Sequence, residues 1–68
     1  MNSQVARMTE LRRRLGLTQE DVAQQLGVRV VTVNRWENER NLPRGLSRRA
    51  LDVWIEQRGK EPDDARDK

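Results

Sequence analysis

The sequence contains no histidine and no cysteine. The first absence removes the commonest general base and the commonest metal ligand. The second excludes disulfides and thiolate-bound metals. Phenylalanine and tyrosine are also missing, and two tryptophans hold the aromatic content at 3%. That gives little support to a surface that stacks unpaired bases. No apolar run approaches the roughly 20 residues of a membrane span, and no signal-peptide core follows Met1. The expected setting is soluble, reducing and cytoplasmic. Aliphatic side chains are scarce as well. Leu, Ile, Val and Phe together make 15 of the 68 residues, just above the level of about 20% below which disorder is the default. Such a chain can build one small domain with a thin core.

Charge is plentiful, at 37% of residues, and unevenly placed. The formal net charge of +3 is the sum of two parts: residues 1–60 carry 12 basic and 7 acidic side chains (+5), and residues 61–68 carry 2 basic and 4 acidic (−2). Twelve of the fourteen cations are arginine. Their guanidinium forks pair with phosphate and with the edge of guanine better than an ammonium does. A nucleic-acid surface is one reading of this balance. A small domain that needs charge to stay in solution is the other.

Hydrophobic spacing predicts helices throughout. Val5, Met8, Leu11 and Leu15 form one helical stripe, with residues 1–4 expected to fray ahead of it. Gly16 ends that helix. Thr18, with Asp21 three residues later, is a capping-box pattern that opens a second helix. There Val22, Ala23 and Leu26 are the buried set, and Gly27 stops it. A third helix starts near Arg29 or Val30 and runs to about Asn38. It places Val33, Trp36 and Glu37 on one side and Val31, Asn34, Arg35 and Asn38 on the other. The run Val28–Val33 is as β-branched as a strand, but the chain offers no second strand to pair with it. Glu39–Pro43 reads as a loop. A last amphipathic helix follows, with Ser47 as a candidate N-cap. It carries Leu46, Ala50, Leu51, Val53, Trp54 and Ile55 to about Arg58, and Gly59 caps it. The two tryptophans are expected in the core; Arg48, Arg49 and Arg58 are expected as solvated helix-face residues. Lys60 to Lys68 is a polar stretch without an apolar anchor, which predicts disorder. The expected fold is therefore all-α, a compact bundle of about four helices over residues 1–59, with a disordered tail at 60–68.

The informative segment is Gln19 to Trp36. Two short helices meet at a tight turn at Gly27, and Ala23 is small where they must cross. This makes the second helix a prop and the third a probe. A probe of about eight residues is roughly 12 Å long, comparable to the width of the DNA major groove. The strings LRRRLGLTQEDVAQQLGV and TVNRWENER resemble the helix-turn-helix of the lambda repressor/Cro-like family, also called the XRE family, with the helix-turn-helix itself at 18–38.

That resemblance implies roles for individual residues. Val30, Val31, Thr32 and Arg35 match positions that face base edges, with Asn34 a secondary candidate. Arg35 can bond O6 and N7 of guanine together, and the apolar positions can meet thymine methyls. An alternative has Val30 leaning into the core, with only Val31 exposed. Gln19 matches a position at the start of the second helix that holds a DNA phosphate. Arg29, Asn38, Arg40 and Arg44 are the other phosphate candidates. Arg12 and Glu37 match positions that form a buried ion pair tying the first helix to the probe. Two features depart from the family's pattern. Valines stand where hydrogen-bonding side chains are common, and Arg29 stands where a Ser or Thr cap is usual. A fifth helix, often a dimer contact in that family, is not expected here.

The resemblance thus implies a sequence-specific double-stranded DNA-binding transcriptional regulator, expected to be a repressor. If it is a dimer, its half-sites should lie about 34 Å apart. A homodimer on DNA, and a protein partner through the last helix, stay open. The competing reading is a protein-binding adaptor, an antitoxin-like or anti-regulator protein that uses the same fold. An enzyme is the reading the sequence supports least: it shows no phosphate-binding glycine loop and no paired-carboxylate pocket. No catalytic residue, metal, cofactor or membrane association is expected.

Overall fold

The computed structural model describes residues 2–60, which form four helices: α1 (Ser3–Arg14), α2 (Gln19–Leu26), α3 (Val30–Glu37) and α4 (Gly45–Gly59). No strand occurs among the described residues. The β-branched run therefore passes through the turn into α3, as expected. Each helix contributes two or three side chains to one core: Val5, Met8 and Leu11 from α1, Val22 and Ala23 from α2, Val33 and Trp36 from α3, Leu51 and Trp54 from α4. Fully burying a large aliphatic or aromatic side chain contributes about 1.5–3 kcal/mol, so no single helix of this length holds its shape without the others. Leu26, expected with the buried set of α2, is only half-buried, and packs at the core's edge with Leu17, Val28 and Ile55. α1 packs on α3 and α4, while α2 packs on α3 and α4. α3 is thus held from behind by two helices.

The first three helices end in the same way. At each C-terminus one backbone N–H reaches back five residues and its predecessor reaches back three. The pairs are Leu17 to Arg12 (2.9 Å) and Gly16 to Arg13 (3.2 Å), then Val28 to Ala23 (3.0 Å) and Gly27 to Gln24 (3.3 Å), then Arg40 to Arg35 (2.8 Å) and Glu39 to Trp36 (3.1 Å). This closure satisfies the orphan carbonyls and requires one left-handed residue. Gly16 (φ 71°) and Gly27 (φ 74°) supply it in the first two cases, and Glu39 (φ 61°) takes it in the third. The capping box of α2 is present in both directions: the Asp21 N–H donates to the Thr18 hydroxyl (3.0 Å) and the Thr18 N–H donates to the Asp21 carboxylate (2.9 Å).

Several boundaries and exposures differ from expectation. Residues 2–4 are ordered into α1 rather than frayed. The Asn2 side chain accepts from the Val5 N–H (3.1 Å), and the Gln4 amide donates to the Arg48 carbonyl (3.0 Å) and the Asp52 carboxylate (2.6 Å). α4 begins at Gly45, with Arg44 rather than Ser47 as N-cap, because the buried Pro43 fixes the chain just ahead of it. Gly59 is inside α4, and Lys60 is its C-cap. Leu46 is 85% exposed and does not join the core. Arg58 is half-buried and partnered rather than a free helix-face cation. Its guanidinium donates to the Gln25 side-chain oxygen (2.6 Å) and lies 5.9 Å from the Trp54 ring centroid. Gln25 also accepts from the Trp54 indole (2.7 Å), so one amide oxygen ties α2 to α4. The expected tail beyond Lys60 lies outside the described residues.

A Cβ placed on Gly27 would meet nothing within 4 Å, so the requirement there is backbone conformation alone. Gly27→Ala should cost about 1–2 kcal/mol, and Gly27→Asn less, because Asn tolerates the left-handed region. Urea unfolding of the two variants checks this; equal costs would mean the site is limited by space rather than by φ.

Candidate nucleic-acid interface

The segregation of α3 follows from its sequence. Val33 is fully buried and Trp36 is 3% exposed, whereas Val30 and Val31 are 46% and 43% exposed. Neither valine leans into the core. Asn34 and Arg35 are exposed beside them, and Thr32 is half-buried. Arg29 is the exposed N-cap of α3 and, having only N–H donors, makes no side-chain cap hydrogen bond. Arg40 is exposed in the loop, and its backbone N–H is fixed on the Arg35 carbonyl. Thr32 and Arg44 line one shallow cleft with Asn41 and Ser47. The exposed cations Arg29, Arg35, Arg40 and Arg44 thus lie on α3 and on the segments entering and leaving it.

Behind this face sits the ion pair. Arg12 from α1 grips Glu37 at the end of α3 with both arms of its fork, Nε to Oε2 at 2.8 Å and Nη2 to Oε1 at 2.9 Å. A third donor, Nη1, reaches the Leu17 carbonyl at 3.2 Å. The two side chains are only 14% and 9% exposed. The same carboxylate oxygen accepts from the Gln19 amide at 2.9 Å. The Gln19 oxygen accepts from Asn34 Nδ2 at 3.2 Å. Asn38 Nδ2 in turn donates to the Asn34 backbone oxygen (3.0 Å) and to Asn34 Oδ1 (3.1 Å).

The structure therefore gathers Arg12, Glu37, Gln19, Asn34 and Asn38 into one hydrogen-bonded chain that begins beneath the interface and ends on it. Only the Arg12–Glu37 pair was implied beforehand. The i, i+4 spacing of Asn34 and Asn38 is a legible signal. Nothing local could place Gln19 beside them, since that contact depends on how α2 crosses α3.

With this geometry in view, a helix-turn-helix family model matches residues 8–47, more than half of the chain. The chain belongs to the helix-turn-helix family, in its lambda repressor/Cro-like form. No curated protein and no solved structure matches it. As a member of this family it is a DNA-binding transcriptional regulator. The matched span takes in the whole of α2 and α3, most of α1 and the first residues of α4. It includes every residue of the hydrogen-bonded chain. Among the described residues, no helix is long and apolar enough to cross a membrane, and no three acidic residues gather where they could hold a metal ion.

Burial pushes the Glu37 carboxyl up, but hydrogen bonds from Arg12 and Gln19, with the charge of Arg12, bring it below the ordinary glutamate value. A lowered folded-state value means that the unfolded chain binds the proton more readily. The stabilisation is therefore complete above the unfolded value of about 4.3 and is lost as pH falls through the folded one. Glu37→Gln leaves Arg12 without its counter-charge and should cost about 3 kcal/mol at neutral pH. Its stability should also fall less steeply than the parent's as pH drops below that unfolded value. Urea unfolding across that range tests both; parallel curves would mean that Glu37 does not titrate in this window.

Proposed function

We propose that this regulator binds duplex DNA sequence-specifically by laying α3 in the major groove, and that it acts as a repressor. The observation that carries the reading is the two-sided character of α3. Val33 and Trp36 anchor it inward, while Val30, Val31, Asn34 and Arg35 are exposed on its other side among the described residues. Arg35 is the principal base reader, addressing guanine through its fork, and Val30, Val31 and the Thr32 methyl contact thymine methyls. Arg29, Arg40 and Arg44 hold phosphates on either side and set the register of the helix. Repression asks only that the bound domain occupy its site; the action is binding rather than catalysis.

Selection of bound duplexes from a random pool, followed by titration across salt concentrations, tests the proposal. Arg35→Ala should lose about 1–3 kcal/mol on the selected site and flatten preference at one base position. Arg40→Ala should weaken all sequences alike and lower the salt slope by about one. A uniform loss on every sequence for Arg35→Ala would defeat its base-reading role.

A further inference from the structure

Val30 and Val31 open α3, and the fold itself does not call for either. β-branched residues are weaker helix formers than unbranched ones. Core packing does not account for them, since the two valines are 46% and 43% exposed. The other apolar residues of α3, Val33 and Trp36, are buried. The surface around the pair is polar and cationic. Arg29 precedes it, and Asn34 and Arg35 follow one turn on from Val30 and Val31 respectively, all three exposed. An apolar pair set among such groups matches a polar groove edge that carries a single apolar feature. In the major groove that feature is the C5-methyl group of a pyrimidine. The N-terminal residues of a recognition helix are the ones that reach base edges.

We infer that Val30 and Val31 read the pyrimidine C5-methyl group itself, so that DNA carrying 5-methylcytosine is a ligand class of this domain and cytosine methylation strengthens binding. The inference rests on the proposal that α3 enters the major groove. A valine side chain has neither donor nor acceptor. It does not distinguish the O4 acceptor of thymine from the N4 amino donor of cytosine. What it meets at a pyrimidine is the C5 substituent, a methyl in thymine and a hydrogen in cytosine. A methyl on cytosine C5 takes the same place on the groove edge, and contact removes the same apolar area from water. Thr32, the next residue, does not restore the distinction, because a hydroxyl donates or accepts as its neighbour requires. Unmodified cytosine is disfavoured only for lacking the methyl.

Modified duplexes test this one methyl group at a time. Each pyrimidine of the site selected by the parent protein is made in four versions: thymine or uracil opposite adenine, and cytosine or 5-methylcytosine opposite guanine. Competitive titration should show, at one position, a roughly fourfold loss from thymine to uracil and a roughly fourfold gain from cytosine to 5-methylcytosine. Both ratios should fall to about one in the Val30→Ala/Val31→Ala variant. Circular dichroism melts confirm that this variant is folded. A loss with uracil and no gain with 5-methylcytosine would make the position thymine-specific and overturn the inference. Ratios unchanged in the double variant would assign the methyl effect to the shape of the duplex, and overturn it equally. A parent protein that binds no duplex, or binds every sequence alike, would overturn the major-groove proposal itself; a parent with a clear site and no methyl effect overturns only the role of the valines.

Discussion

The two-toothed contact between Arg12 and Glu37 is the constraint on which the functional face depends. It joins the middle of the sequence to its first helix, across 25 positions, and does so at the C-terminal end of α3. A buried ion pair is not a strong source of net stability, because removing two charges from water costs nearly as much as their attraction returns. Its value here is geometric. Apolar packing through Val33 and Trp36 fixes how deeply α3 sits, but shape-matched hydrophobes tolerate small rotations. A bidentate guanidinium–carboxylate contact is directional. It sets the angle at which the outward side chains leave the domain.

The same carboxylate organises what lies above it. Gln19, Asn34 and Asn38 are individually ordinary exposed or half-exposed amides, and isolated hydrogen bonds among such groups contribute little net free energy. Linked to an ionised acceptor, they acquire a common direction. Protonation of Glu37 removes the ionised acceptor from which that direction starts.

The closure of α3 shows a second economy of the fold. α1 and α2 end on left-handed glycines, and α3 ends on left-handed Glu39. An L side chain in that conformation carries a cost of about 1–2 kcal/mol, which the surrounding hydrogen bonds of Arg40 and Glu39 to the helix offset. The outcome is a loop that leaves α3 in a set direction and carries Arg40 and Arg44 beside it. The thin apolar composition is consistent with this design. Among the described residues nine buried hydrophobic side chains form the core, and polar ties supply the rest of the definition: Gln25 to Trp54 and Arg58, and Gln4 to α4.

The sequence by itself determined four helices, the glycine-closed ends of the first two, the capping box at Thr18 and the two-sided pattern of α3. All of these rest on interactions within four or five residues, and local spacing encodes them. It also carried enough of the family's pattern, from Met8 to Pro43, to point to DNA and to pair Arg12 with Glu37. Tertiary structure alone decided the rest. Gln19 meets Asn34 and Glu37 only because α2 packs against α3. Gln25 meets Arg58, and Gln4 meets Asp52, only because α4 returns across the first two helices. The helix starts at Asn2 and Arg44, in place of a frayed start and a Ser47 cap, have the same origin: Pro43 packing and the Gln4 contact to α4 override local preference. Contacts between residues distant in sequence follow from how helices cross, and periodicity says which face is buried but not which residue waits on the other side.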